Sequence, residues 1–241
     1  MGDDAVSRLD VPVTFNFRAV APGALRPGAL YRSDALHRVN AEGRQRIREL
    51  GIGGVIDLRS AFDRRIGGRD RLRGTGAVRT SVPLAGGATK VDPAAVTLRG
   101  VYRMLLEQHP AQFGQVLRMI ADAEAPMLVH CTAGKDRTGL VSALALAAVG
   151  IGRDAIVADY AATAANLAGE WTEGMLRTVR RFRVPITDNL VEILAASPPE
   201  ALLDTFDWLD EHHDGVDGYL SAIGVDDAAR ERLRTRLLPA S

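Results

Sequence analysis

Apolar residues gather along this chain in short blocks at 29–32, 54–59, 78–84 and 127–131, each the length of a buried strand. Between the blocks, 41–50, 94–108 and 111–123 carry helical spacing. Strands alternating with helices predict a mainly parallel sheet covered by helices. Beyond residue 139 the pattern predicts helices alone, to about 238. The fold class expected is therefore α/β, a small mainly parallel sheet flanked by helices with an all-helical C-terminal half. Gly67-Gly68, Gly86-Gly87 and Ser197-Pro198-Pro199 are the expected breaks. None has the composition of a linker between independent domains, so residues 1–241 are read as one domain.

Composition narrows the function classes. Thirty Lys plus Arg balance thirty Asp plus Glu, so no global field draws the chain to nucleic acid or an anionic membrane. The stretch 59–73 is locally basic, with six arginines against two aspartates, as a solvated face would be. The longest apolar stretch, 140–151, is too short to cross a bilayer, so no integral membrane association is expected. The N-terminus is polar and acidic and shows no signal-peptide pattern. A cytoplasmic location, or secretion without such a signal, is the corresponding expectation. A single cysteine, Cys131, excludes an internal disulfide and leaves that thiol without an intrachain partner after oxidation. Oligomeric state is not legible.

That cysteine lies in the most informative stretch of the chain, Val129-His130-Cys131-Thr132-Ala133-Gly134-Lys135-Asp136-Arg137-Thr138-Gly139. Met127-Leu128-Val129 reads as a buried strand and 139–149 as a helix rich in Ala and Leu. The residues between form a tight loop whose N–H groups gather at a helix N-terminus, where unpaired donors and the helix dipole favour a dianionic phosphate. The same field favours the thiolate of a cysteine held there. Arg137 supplies a planar fork suited to two phosphate oxygens. A nucleotide-binding Walker loop is excluded, because Val129 stands where its first glycine belongs and Asp136 follows the lysine. The bland alternative, an inert buried cysteine beside a helix start, leaves the spacing of Arg137 unexplained.

Cys131, five residues, Arg137 and Thr138 make up the Cys-x5-Arg-[Ser/Thr] signature, and the chain resembles the cysteine-dependent protein tyrosine phosphatase superfamily. The full string from His130 to Gly139 is similar to that of its bacterial tyrosine and dual-specificity branch. So are Asn16-Phe17-Arg18, the segment from Leu25 to Ser33, the segment from Gly51 to Ser60, and Ala155 to Tyr160. The resemblance implies a phosphotyrosine-phosphatase-like fold and hydrolysis of a phosphomonoester through a phosphocysteine, with no metal or cofactor required. The expected substrate is a phosphorylated protein, phosphotyrosine above all, with dual-specificity or phosphoinositide activity as the wider range. A catalytically inactive phosphate-binding module is the alternative, against which the presence of Cys131, Asp136 and Arg137 together argues. An arsenate reductase would want resolving cysteines, and a rhodanese a loop without the Arg-Thr ending.

Cys131, Asp136, Arg137 and Thr138 are the expected catalytic residues, and Thr132, Ala133, Gly134, Lys135 and Arg59 the expected substrate-binding ones. The proton donor is the least direct of these. Phosphatases with a mobile Trp-Pro-Asp loop place it before the cysteine, and that tripeptide is absent here, as is any glutamine after Cys131. Asp136 is the replacement that the bacterial branch implies; Asp57 and Asp92 are the runners-up, Asp57 reading more naturally as a partner for a neighbouring arginine. Thr138 either donates to the thiolate or simply opens the helix. Lys135 either adds positive potential at the pocket mouth or pairs with a carboxylate, and His130 reads as a buried group ordering the backbone. His212-His213 beside Glu211 reads as a solvated helix end rather than a metal site. Trp171, Met175, Val179 and Phe182 form an apolar stripe opposite Arg177, Arg180, Arg181 and Arg183. The surrounding segment, 166–196, is either permanent core or a helical lid over the pocket.

Overall fold

A computed structural model describes residues 8–85, 96–183 and 185–240. Among these, the strands β1 (Arg18–Ala19), β2 (Leu30–Ser33), β3 (Gly54–Asp57), β4 (Val78–Ser81) and β5 (Met127–His130) form one sheet in the order β1-β2-β5-β3-β4. β1 runs antiparallel to β2 and every other pair is parallel. His130 is in register with Ser33 on one side and Asp57 on the other, so β2, β5 and β3 end level. Ligand sites in open α/β sheets lie beyond such carboxyl ends. The sheet is the expected one, with β1 added, too short for its pattern to register in the sequence.

Helices α1 (Ala41–Glu49), α2 (Ala61–Gly67), α3 (Leu98–Gln108) and α4 (Pro110–Ala121) connect the strands. After β5 come α5 (Asp136–Ala148), α6 (Arg153–Leu167), α7 (Glu170–Arg181), α8 (Asp188–Ala195), α9 (Pro199–His213), α10 (Gly215–Ala222) and α11 (Asp227–Leu237), matching the expected all-helical half. α2 was not expected from periodicity, since none of its residues is buried. Its signal is local instead: Ser60 and Asp63 form a reciprocal capping box. Of the expected breaks, Gly67-Gly68 closes α2 and Ser197-Pro198 separates α8 from α9, while Gly86-Gly87 lies outside the described residues.

Alternation along the strands divides the interior. In β5, Leu128 packs with Phe17, Val39, Ile47 and Val55 on the α1 side, while Met127 and Val129 join the larger core on the other face. α5 runs through that larger core and buries Leu140, Val141, Leu144 and Leu146, as a helix apolar all round must. It starts three residues earlier than the apolar pattern indicates, at Asp136, so Asp136, Arg137 and Thr138 occupy its first turn. No helix among the described residues is long and apolar enough to cross a membrane.

Candidate active site

Residues 131–135 join β5 to α5 as a loop whose carbonyls are tied down on its outer side. Thr132 O accepts from Ala35 N at 3.1 Å, Ala133 O from Asn16 Nδ2 at 3.0 Å, and Gly134 O from Arg32 Nη2 at 2.7 Å. A trans peptide points its N–H opposite to its carbonyl, so the amides of Ala133, Gly134 and Lys135 face the loop interior. The Gly134 N–H donates to Cys131 Sγ at 3.2 Å. Gly134 has φ +69°, and a Cβ there would lie 2.3 Å from the Ser33 carbonyl oxygen, so both conformation and space require glycine.

Arg32, and Arg18 behind Asn16, are buried ions held in turn by α6. Arg32 pairs with Asp159 of α6 at 2.5 Å, and Arg18 donates to Asp159 O at 2.8 Å and Thr163 Oγ1 at 2.9 Å. Burial, followed by the neighbouring Arg32, lowers the Arg18 guanidinium to about 9. These residues fall in the segments from Asn16 to Ser33 and around Asp159, which carried the family resemblance without an assigned role.

Arg137 projects from the first turn of α5 and is held by Asp63, Thr132 and, at 3.4 Å from Nη1, the Leu84 carbonyl. Nη1 donates to Asp63 Oδ2 of α2 at 2.6 Å, and Nη2 to Thr132 Oγ1 at 3.2 Å. Burial works against its charge, but the nearby Cys131, Asp63 and Asp136 outweigh it and raise the guanidinium above its ordinary value. Burial likewise pushes the Asp63 carboxyl up, and Arg137 overrides it, leaving that carboxyl below the usual range. Asp136 accepts from the Tyr102 hydroxyl at 2.8 Å and lies 3.5 Å from Lys135 Nζ. Thr138 Oγ1 is buried and makes no hydrogen bond.

Two expected substrate-binding side chains lie elsewhere than at a pocket mouth. Lys135 is fully buried, its ammonium donating to Ile193 O at 2.5 Å and Ala196 O at 2.7 Å at the end of α8. It ties α8 to the loop and pairs with Asp136, the carboxylate partner left open by the sequence. Arg59 is also buried, bonded to Asp57 through Nε at 2.9 Å, to Asp70 through Nη2 at 2.7 Å and to Gly68 O through Nη1 at 3.0 Å. Its guanidinium is bonded within the fold rather than presented at a pocket mouth.

Asp57 accepts from Arg59 and Arg79, which is the structural role expected of it; Asp92 lies outside the described residues. His130 bridges the Cys131 carbonyl at 3.2 Å and Asp70 Oδ2 at 3.1 Å, ordering the loop as expected. Asp57, Asp70 and His130 bring ligand atoms within 4.8 Å of one another. Arg59 and Arg79 already neutralise both carboxylates, so the cluster is an ion-pair network rather than a cation site. His212 stacks on Trp208 and His213 packs edge-on to Trp208 and Tyr219. Asp63, Asp70 and Tyr102 went unread in the sequence, and Tyr160 entered only through the family resemblance; Asp63 alone carried a local signal, the Ser60-x-x-Asp63 box.

A thiol under a backbone N–H at a helix N-terminus, with an arginine and an aspartate in that helix's first turn, matches the architecture of phosphatases that bind phosphate in a cysteine loop. The model of the tyrosine phosphatase family matches residues 9–239, and the chain belongs to that family as a protein-tyrosine-phosphatase. It is similar to the triple specificity protein phosphatase PtpB of Mycobacterium tuberculosis, 31% identical over 278 residues spanning 95% of this chain and 98% of that protein. A tyrosine-protein phosphatase of Nostoc commune is 28% identical over 226 residues, covering 89% of this chain and 76% of its own. Among solved structures, that of TpbA from P. aeruginosa aligns at 20% identity and a TM-score of 0.38, covering 74% of this chain and 98% of that one.

Proposed function

We propose that the chain hydrolyses phosphomonoesters through a phosphocysteine intermediate, with phosphotyrosine as the principal substrate. The observation carrying this reading is the meeting of three groups at the start of α5: the Cys131 sulfur under the Gly134 N–H, and Arg137 and Asp136 in the first helical turn. Cys131 as thiolate attacks phosphorus, the S–P bond forming as the ester P–O bond breaks, and Asp136 gives its proton to the departing oxygen. Water then attacks the phosphocysteine, Asp136 accepts a proton from it, and the thiolate leaves as phosphate is released. The inward amides of residues 133–135 and Arg137 hold the equatorial oxygens. Asp63 engages Nη1 of Arg137 and Thr132 takes one Nη2 bond, so Nε and the second Nη2 hydrogen are the donors assigned to phosphate. Thr138, whose buried hydroxyl makes no hydrogen bond within the fold, is assigned the donor to the thiolate once it forms.

A relative named for triple specificity supports a range beyond phosphotyrosine, and we extend the reading to phosphoseryl, phosphothreonyl and phosphoinositide substrates. We also infer that α7 and α8 cover the site. α7 buries none of its residues and packs on α6 and α8, while α8 reaches the loop through Lys135.

The test is an assay series with phosphotyrosyl, phosphoseryl and phosphoinositide substrates in excess chelator. Turnover that survives the chelator and ranks phosphotyrosine first is expected. Phosphate binding without turnover of any substrate would leave the chain a phosphate-binding module.

A further inference from the structure

Three distant segments meet at one carboxylate. Tyr102 on α3 donates to Oδ1 of Asp136 at 2.8 Å, and its oxygen lies 2.6 Å from the hydroxyl of Tyr160 on α6. Both rings are buried and stand edge to face, with centroids 6.1 Å apart at 89°. α5 admits this approach because residue 139 is glycine: a Cβ there would lie 3.1 Å from Tyr160 Cδ2.

Packing alone does not call for the two hydroxyls, since phenylalanine would fill the same space. A buried phenol instead demands a partner for its O–H. Among the described residues, the Tyr160 hydroxyl is recorded with Tyr102 alone, and Tyr102 with Tyr160 and Asp136. The protons therefore run one way when Asp136 is ionised, from Tyr160 to Tyr102 and from Tyr102 to Oδ1. Lys135 Nζ, 3.5 Å away, also faces Oδ1. Both fixed donors address the same oxygen, and Oδ2 is the one left to carry a transferable proton.

We propose that Tyr102, backed by Tyr160, is the positioning residue of the proton donor: it holds Oδ1 of Asp136 and directs the transferable proton to Oδ2. The inference rests on the reading of Asp136 as general acid given above. Burial, with Asp136 next in effect, holds the Tyr102 hydroxyl well above its ordinary value. Burial also raises the Tyr160 hydroxyl. Neither phenol ionises in the working range, so both act as fixed donors and neither is itself the acid.

The charged and titratable groups around Asp136 are Lys135 and Arg137 beside it in sequence, Cys131 in the loop, Tyr102 from α3, Tyr160 from α6, and Arg32 of β2 behind Tyr160. None of these groups but Tyr102 is recorded as a hydrogen-bond donor to Oδ1, so its removal frees the proton to sit on either oxygen.

The experiment measures kcat and KM of the full-length chain on aryl and alkyl phosphates of graded leaving-group pKa, for wild type, Tyr102→Phe, Tyr160→Phe, Asp136→Asn and the Tyr102→Phe, Asp136→Asn double variant. Tyr102→Phe is expected to lower kcat about tenfold on alkyl phosphates and less than about threefold on acidic phenyl phosphates, with KM little changed. Tyr160→Phe, which keeps the direct donor, should show the same grading with a smaller loss. In the Asp136→Asn background the Tyr102 substitution should add nothing. A loss in Tyr102→Phe that is equal across leaving groups, or one that persists in the Asp136→Asn background, overturns the inference while a graded loss in Asp136→Asn keeps the general acid. An ungraded loss in Asp136→Asn overturns both.

Discussion

Asp63 holds the guanidinium of Arg137 at 2.6 Å from 74 residues earlier in the chain, and the same carboxylate closes the capping box of α2. One side chain thus fixes a surface helix and the arginine of the candidate active site. Asp63→Ala should lower kcat/KM about tenfold through a misplaced Arg137 and destabilise the fold by about 1 kcal/mol through the lost cap. Ser60→Ala loses the cap and keeps the ion pair, so it should match the stability loss and retain wild-type turnover. Equal turnover in both variants would show that Arg137 needs no support from α2.

Cys131→Ser should abolish turnover while retaining phosphate binding, because a serine hydroxyl is a far weaker nucleophile than a cysteine sulfur. Arg137→Lys should be severely impaired, since an ammonium cannot reproduce the planar fork. Steady-state assays paired with phosphate titration separate the two effects. Substantial activity in Cys131→Ser would sink the phosphocysteine mechanism.

The Asp57–Asp70 network sets the acid limit of stability. Burial pushes both carboxyls up, but hydrogen bonds from Arg59 and His130 respectively, with Arg79 adding to each, outweigh it and leave them below the usual carboxylate range. A carboxyl depressed in the fold contributes stability above its unfolded value, about pH 4, and loses it as pH falls through the folded value. Urea midpoints should therefore hold near neutrality and drop in acid. Asp70→Asn, which breaks a buried pair, should be less stable at pH 7 by about 3–5 kcal/mol and should lose less on acidification. Parallel pH curves for the two proteins would assign the acid sensitivity elsewhere.

Coverage by α7 and α8 makes a claim about access to Cys131. Trp171, Met175 and Val179 are half-buried, whereas Phe182 is 58% exposed, so the first three contribute most of the stripe's contact. Trp171→Ala with Met175→Ala, provided the variant remains folded, should be inactivated by peroxide several-fold faster than wild type, about the change expected when a lid opens more often. Unchanged inactivation would mean that the loop alone guards the thiol.

Local physics was legible in the chain by itself. Strand and helix periods, and the spacing that sets Cys131 and Arg137 around one phosphate, rest on residues close to one another in the chain. Those features set the α/β class, the helical second half and the family. Partnerships formed through the sheet topology were not legible. Arg32 reaches Asp159 across 127 positions, His130 reaches Asp70 across 60, Lys135 reaches Ile193 across 58, and Tyr102 reaches Asp136 across 34. A buried charge must find a partner wherever the fold brings one, and sequence spacing does not encode that choice. Arg59 and Lys135 have carboxylates within two residues, Asp57 and Asp136, but Asp70, Gly68, Ile193 and Ala196, which complete their enclosure, were set beside them only by the tertiary structure.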